Sequence, residues 1–167
     1  MSKIDSKMKE VKIESILQVY NDLEELPSDV RSLMVSAIKA REKAYAPYSN
    51  FKVGASVLLD NNEVVSGSNQ ENAAYPSGLC AERTAIYYAG AKYPKAKILK
   101  MALTASSLNK VTDKPIPPCG ACRQAIAEYE LKQDHPIEIY FMGAKGKVAK
   151  SNSLSNLLPF IFEGSLL

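Results

Sequence analysis

The three cysteines constrain this chain more than any other feature. Cys80-Ala81-Glu82 and Pro118-Cys119-Gly120-Ala121-Cys122 hold every cysteine among its 167 residues. Helical patterning follows each group, with Gly78-Leu79 leading into Cys80 and Pro117-Pro118 into Cys119. Residues three apart on a first helical turn can face one ion, so Cys119 and Cys122 form a natural pair. Unpaired N–H groups and the positive end of the helix dipole favour anions at a helix start. A thiolate is therefore less costly there, and metal coordination completes its deprotonation. Inert thiols buried as small hydrophobes are the bland alternative. A C-x-x-C after proline, with the third cysteine two residues before a glutamate, weighs against it. An odd cysteine count argues against a disulfide framework.

C-x-E followed far along the chain by P-C-x-x-C is the pattern of zinc-dependent nucleobase deaminases, with cysteine in place of histidine. In such sites three protein ligands hold the ion and water takes the fourth position. Zinc suits thiolates, although Fe²⁺ also fits the ligand set. Three thiolates leave a zinc centre with net negative charge, so something must return positive potential. Arg83 and the two helix N-termini are the available sources. Arg83 is expected to donate hydrogen bonds to ligand thiolates rather than to sit in a surface ion pair. Glu82 is expected to stay off the metal, first accepting the proton of water, then protonating a ring nitrogen, and finally helping ammonia leave.

The length fits one domain with a sizeable core. The net charge of +3 is spread without a basic run, so nothing announces a nucleic-acid partner. The start, Met1-Ser2-Lys3-Ile4-Asp5, is polar, and no segment has the apolar length to span a bilayer. The expected location is the cytoplasm.

Residues 1–27 read as an extension with a short strand in the alternating stretch from Val11 to Tyr20, and 28–167 as a single domain. Ser28 is placed as the N-cap of a helix running to about Tyr45, with Val30, Leu33, Met34, Ala37 and Ile38 on one face. Phe51–Leu59 and Glu63–Gly67 read as a hairpin around a polar turn. Beyond it the patterning predicts a helix over 80–91, a strand over 98–105, a helix over 119–131, a strand over 137–142 and a short helix over 153–158. That order argues for a mixed sheet with helices on its faces.

With these residues in view, the chain resembles the cytidine deaminases, specifically the small homotetrameric kind with three cysteine ligands. The resemblance runs from about Ala40 to Phe162 and rests on several blocks. They are Ala46-Pro47-Tyr48-Ser49-Asn50-Phe51-Lys52-Val53-Gly54-Ala55, Asn69-Gln70-Glu71-Asn72-Ala73-Ala74-Tyr75, and the two cysteine segments extended to Ala85 and Gln124. It implies a three-layer α/β fold, one Zn²⁺ per subunit on Cys80, Cys119 and Cys122, and Glu82 as the catalytic acid/base. It further implies that Phe51 stacks on the pyrimidine, that Asn69 and Glu71 bind the ribose 3′-hydroxyl, and that the Ala81 N–H binds the ring's O2. In Leu157-Leu158-Pro159-Phe160-Ile161-Phe162 an aromatic residue would enter a neighbouring subunit's site, Phe162 by alignment with Phe160 close by. Tyr75 would line an adjacent subunit's pocket.

The implied activity is hydrolytic deamination of cytidine and 2′-deoxycytidine. Aminopyrimidine-antibiotic (blasticidin-type) deaminases, nucleotide deaminases and polynucleotide editors are relatives with other substrates. The Asn-x-Glu-Asn loop favours a free nucleoside, because Glu71 would repel a nearby phosphate. A non-catalytic zinc site closed by His135 or another ligand is the non-enzyme alternative. It leaves Glu82 and the Asn69–Glu71 loop without a task.

Overall fold

The alternating apolar residues of Phe51–Leu59 (β2) form a strand one in from the edge of a six-stranded sheet. A computed structural model of the chain describes residues 8–164, so the polar start lies outside the described residues. The remaining elements are β1 (Gln18–Tyr20), α1 (Ser28–Glu42), β3 (Val64–Ser68), α2 (Ala81–Lys92), β4 (Ile98–Ser107), α3 (Gly120–Lys132), β5 (Glu138–Met142) and β6 (Val148–Ser151). The strand order is β1-β6-β5-β4-β2-β3, with β4 and β5 parallel and every other pair antiparallel.

Each strand shows alternate residues to opposite faces, and the two faces carry separate cores. Met101, Leu103, Ile139 and Phe141 join Ala55 and Val57 beneath α2 and α3. Ala102, Tyr140, Met142 and Val148 meet Val30, Leu33, Met34 and Ala37 of α1. Helix, sheet and helices make the three layers, an α/β architecture with a mixed sheet. Gly54 allows α1 to lie directly on β2, since a Cβ there would collide with the Ala37 carbonyl and the Arg41 backbone.

Several boundaries differ from the sequence expectations. Ser28 is not the cap of α1. Pro27 holds that position at φ −51°, and its carbonyl accepts the first helical bond, from Arg31 N at 2.8 Å. Ser28 itself is helical. The helix ends at Glu42 because Tyr45 is drawn into the loop after β3, its N–H donating to Asn69 O and its carbonyl accepting from Glu71 N. Strand β6 has only four residues and no legible alternation of its own. The final element is one 3-10 turn, Leu154–Asn156, not a helix over 153–158. Of the alternating stretch 11–20, only β1 pairs, along the edge of β6. Val11 and Ile16 stand exposed.

Topology explains why the two cysteine groups can meet. β2 is antiparallel to both β3 and β4, so β3 and β4 run in the same direction and finish at one end of the sheet. The chain that leaves β3 leads into α2, and the chain that leaves β4 leads into α3. Both helices therefore begin beside that end, where β2 also starts.

Candidate active site

Cys80 is the N-cap of α2 and Cys119 the N-cap of α3, with Cys122 one turn into α3. Their three sulfurs all lie within 4.8 Å of one another, and the Cys80 and Cys119 sulfurs are 3.9 Å apart. Tetrahedral coordination at a normal Zn–S length separates ligand sulfurs by about 3.8 Å. The donor set is soft and the spacing matches, so the three cysteines fit a zinc ion.

The electrostatics point the same way. A hydrogen bond from Cys122 does most to draw the Cys80 thiol down to about 5, against the effect of burial, with Arg83 and Cys119 adding to it. The same pairing, with burial, pushes the Cys122 thiol up. Three sulfurs this close hold three negative charges only with a cation among them. Arg83 Nη2 lies 3.7 Å from Cys80 Sγ, and its charge favours the thiolate. The Arg83 Nε is buried and has no partner among the described residues.

Glu82, on the first turn of α2, is only 4% exposed. Burial first, then the Cys80 charge, raises its carboxyl above the ordinary carboxylate range. It lines a cavity of about 430 Å³ with Cys80 and Cys119, in the range of small-molecule sites. The start of β2 contributes Phe51 and Val53 to the walls, the end of β4 Leu103 and Ala105, and the approach to α3 Ile116 and Pro117. Ala81, the first residue of α2, carries an N–H that the helix cannot use.

Asn69 and Glu71 line the same cavity, and both are held firmly. The Asn69 amide continues the β3 pairing by side chain: Oδ1 accepts from Val53 N at 2.8 Å and Nδ2 donates to Phe51 O at 2.9 Å. Glu71 accepts from Tyr48 N at 2.9 Å, from Ser49 N at 3.2 Å and from the Ser49 hydroxyl. These bonds, the Ser49 hydroxyl foremost, hold its carboxyl below the ordinary range. A carboxylate kept ionised is a strong acceptor for a hydroxyl.

Ser49, Ile116 and Pro117 had no assigned role in the sequence. Ser49 belongs to the quoted Tyr48-Ser49-Asn50 block, whose turn chemistry was the available signal. Ile116 carried none, and Pro117 only the mark of a helix start. Phe162, 60% exposed, does not line the cavity of its own chain, whereas Tyr75, 80% exposed, lines an adjoining pocket of about 420 Å³ that shares Ser49, Asn69, Glu71 and Cys80 with it. Phe160 is 78% exposed. His135 does not close the metal site. It follows the far end of α3, about 20 Å of helix away from Cys119, where its Nδ1 meets Pro136 O at 2.7 Å.

A sequence profile of the cytidine and deoxycytidylate deaminase zinc-binding region matches residues 27–134. The cytidine deaminase of Halalkalibacterium halodurans is 39% identical over 134 residues, covering 80% of this chain and 94% of its own length. That of Sporosarcina psychrophila is 39% identical over 137 residues, covering 80% and 91%. Among solved structures, cytidine deaminase from Burkholderia pseudomallei superposes with a TM-score of 0.68 at 39% identity, over 78% of this chain and 97% of that one. Cytidine deaminase from Mycobacterium tuberculosis gives 0.63 at 31% identity, over 82% and 99%.

Proposed function

This chain belongs to the cytidine and deoxycytidylate deaminase family, and from that premise we propose that it is a zinc-dependent hydrolase removing the 4-amino group of cytidine and 2′-deoxycytidine. The products are uridine or 2′-deoxyuridine and ammonia. The observation that carries this reading is Glu82, a buried carboxyl with a raised pKa beside three convergent cysteines inside a nucleoside-sized cavity.

Zinc held by Cys80, Cys119 and Cys122, one per subunit, would supply the Lewis acidity that makes water a nucleophile near neutral pH. Glu82 accepts a proton from that water and gives it to ring nitrogen N3 as oxygen joins C4. It carries the second proton to the departing amine, so that the C4–N bond breaks with release of neutral ammonia. A carboxyl raised toward the working pH suits both directions of transfer. Phe51 offers its face to the pyrimidine, and the Ala81 N–H binds O2. The Glu71 carboxylate accepts from the ribose 3′-hydroxyl, with the remaining Asn69 amide valence beside it. Arg83 holds positive charge against the Cys80 sulfur and offsets the thiolate charge.

Residues 28–167 are the deaminase unit in this reading, with 1–27 outside it. Phe162 and Tyr75, both exposed, complete sites of neighbouring subunits in a homotetramer in this reading. Among the described residues no helix is long and apolar enough to cross a membrane. The reading places the enzyme in the cytoplasm, recovering pyrimidine nucleosides. The relatives named above favour it over an aminopyrimidine-antibiotic deaminase, and the remoteness of His135 disfavours a closed structural zinc knot.

A direct assay tests it: cytidine with purified protein, following loss of ultraviolet absorbance and release of ammonia, beside metal-stripped protein. Turnover that requires the metal is the expected result. A fully metallated protein inactive on both nucleosides would reject the substrate assignment.

A further inference from the structure

Arg123 sits where a positive charge is poorly placed. It lies in the first turn of α3, close to the positive end of the helix dipole, which disfavours a cation. Its position is explained by the two carbonyls it holds. Nε donates to Pro118 O at 2.8 Å and Nη1 donates to Leu157 O at 2.9 Å.

The Pro118 carbonyl immediately precedes Cys119. The approach to it, residues 113–118, contains Pro115, Pro117 and Pro118, which have no N–H to donate. Among the described residues, the bond from Arg123 is the only hydrogen bond that reaches this stretch. The same stretch supplies Ile116 and Pro117 to the cavity wall. On the other side, Leu157 and Ile161 pack against the core beneath α2 and α3. The next residue of α3, Gln124, donates Nε2 to Phe162 O at 2.7 Å. Adjacent side chains of one helical turn thus tie the C-terminal segment to the loop that carries a metal ligand.

We propose that Arg123 is a positioning residue for the metal site. It sets the place of Cys119 and of the Ile116–Pro117 wall by fastening the Pro118 carbonyl to α3 and to the C-terminal segment. This rests on the reading of Cys80, Cys119 and Cys122 as zinc ligands. Its action differs from that of Arg83, which meets a sulfur directly. Arg123 works through a planar fork that spans two carbonyls, which the point-like ammonium of lysine does not reproduce.

The test uses the full-length protein with zinc exchanged for Co²⁺, whose thiolate-to-metal absorption bands report ligand geometry. Zinc affinity is measured alongside by competition with a chromophoric chelator. Arg123→Ala and Arg123→Lys are both expected to shift the bands and to weaken zinc binding about tenfold or more, as removal of groups that orient ligands does. Gln124→Ala, which frees only the Phe162 carbonyl, is expected to move the same bands by less, and it carries the test if Arg123→Ala fails to fold. Bands and affinity equal to those of the parent, even with a lowered melting temperature, would overturn the proposal. Full rescue by lysine would do the same, since charge alone would then suffice. A parent protein that takes up no cobalt on its thiols would instead reject the metal-site reading.

Discussion

At the scale of single residues, two neighbours on α2 divide the work. Glu82 faces the cavity and Arg83 faces the sulfurs, because successive helical residues point about 100° apart. Glu82→Gln keeps the shape and removes the carboxyl proposed to carry protons. Turnover of cytidine is expected to fall by about 10²–10⁴-fold with zinc content unchanged, measured by steady-state kinetics and metal analysis on the same sample. Arg83→Ala acts on the thiolates, so zinc retention and activity should fall together; unchanged values for both would reject its role. Glu71, proposed to bind the ribose, lets substrate recognition be tested apart from chemistry. Its carboxylate is held ready by Tyr48 and Ser49, and Glu71→Gln should weaken cytidine binding by about 10–100-fold, the worth of a hydrogen bond to a charged group. If that residue reads the 3′-hydroxyl, free cytosine should be a poor substrate, and the same variant should leave its deamination unchanged.

At the scale of elements, the site depends on how closely α2 lies on β3. A Cβ on Gly67 would come within 2.6 Å of the Ala85 nitrogen and 2.7 Å of the Ala81 carbonyl. Both are backbone atoms of the helix that carries Glu82, so they cannot move without moving the helix. Gly67→Ala is expected to cost about 1–3 kcal/mol of stability, as overpacking does. It should also reduce kcat by more than the melting temperature alone would suggest, because the start of α2 shifts against Cys119. Circular dichroism melts beside kinetics at a temperature where the variant is folded check this. Glu130 has a similar organising task at the other end of α3, accepting from Ile137 N at 2.7 Å, Leu154 N at 3.0 Å and Ser153 Oγ at 2.5 Å. One carboxylate there joins the entry to β5 to the turn that precedes the C-terminal segment.

At the scale of the whole molecule, a charge ladder crosses the α1 face of the sheet. Lys100 on β4 meets Asp29 of α1 at 2.6 Å, and Glu138 on β5 meets Lys150 on β6 at 2.5 Å. The hydrogen bond from Lys100 holds the Asp29 carboxyl below its ordinary value. Burial works to raise Glu138, but Lys150, Tyr140 and Lys100 together outweigh it and leave it lowered as well. A carboxyl lowered by folding stabilises above its unfolded pKa, and that contribution is lost as pH falls through the folded value. Stability should therefore decline on the acid side, below about pH 4.5. Glu138→Gln should flatten that decline while costing about 1 kcal/mol near neutrality, as read from urea melts across pH. Metal removal acts on the molecule as a whole too. A chelator should lower the melting temperature, since an ion bound only by the folded state stabilises it by mass action.

The convergence of the three cysteines beside Glu82 and the order of the main helices and strands were legible in the sequence. The chemistry of C-x-E and P-C-x-x-C is local: spacing along one helical turn decides which side chains converge, and Pro118 and the glycine before Leu79 mark where each turn begins. The tertiary structure decided the rest. Tyr45 leaves its helix because the loop after β3 offers its backbone better partners. Strand β6 exists because β5 presents an edge to four residues with little pattern of their own. Ser49 and Arg123 acquire their roles from a distant carboxylate and a distant carbonyl, Glu71 and Leu157. A residue's partners within a turn are written in its neighbours, whereas partners across the fold are set only when strands of common direction bring separate loops to one end of the sheet.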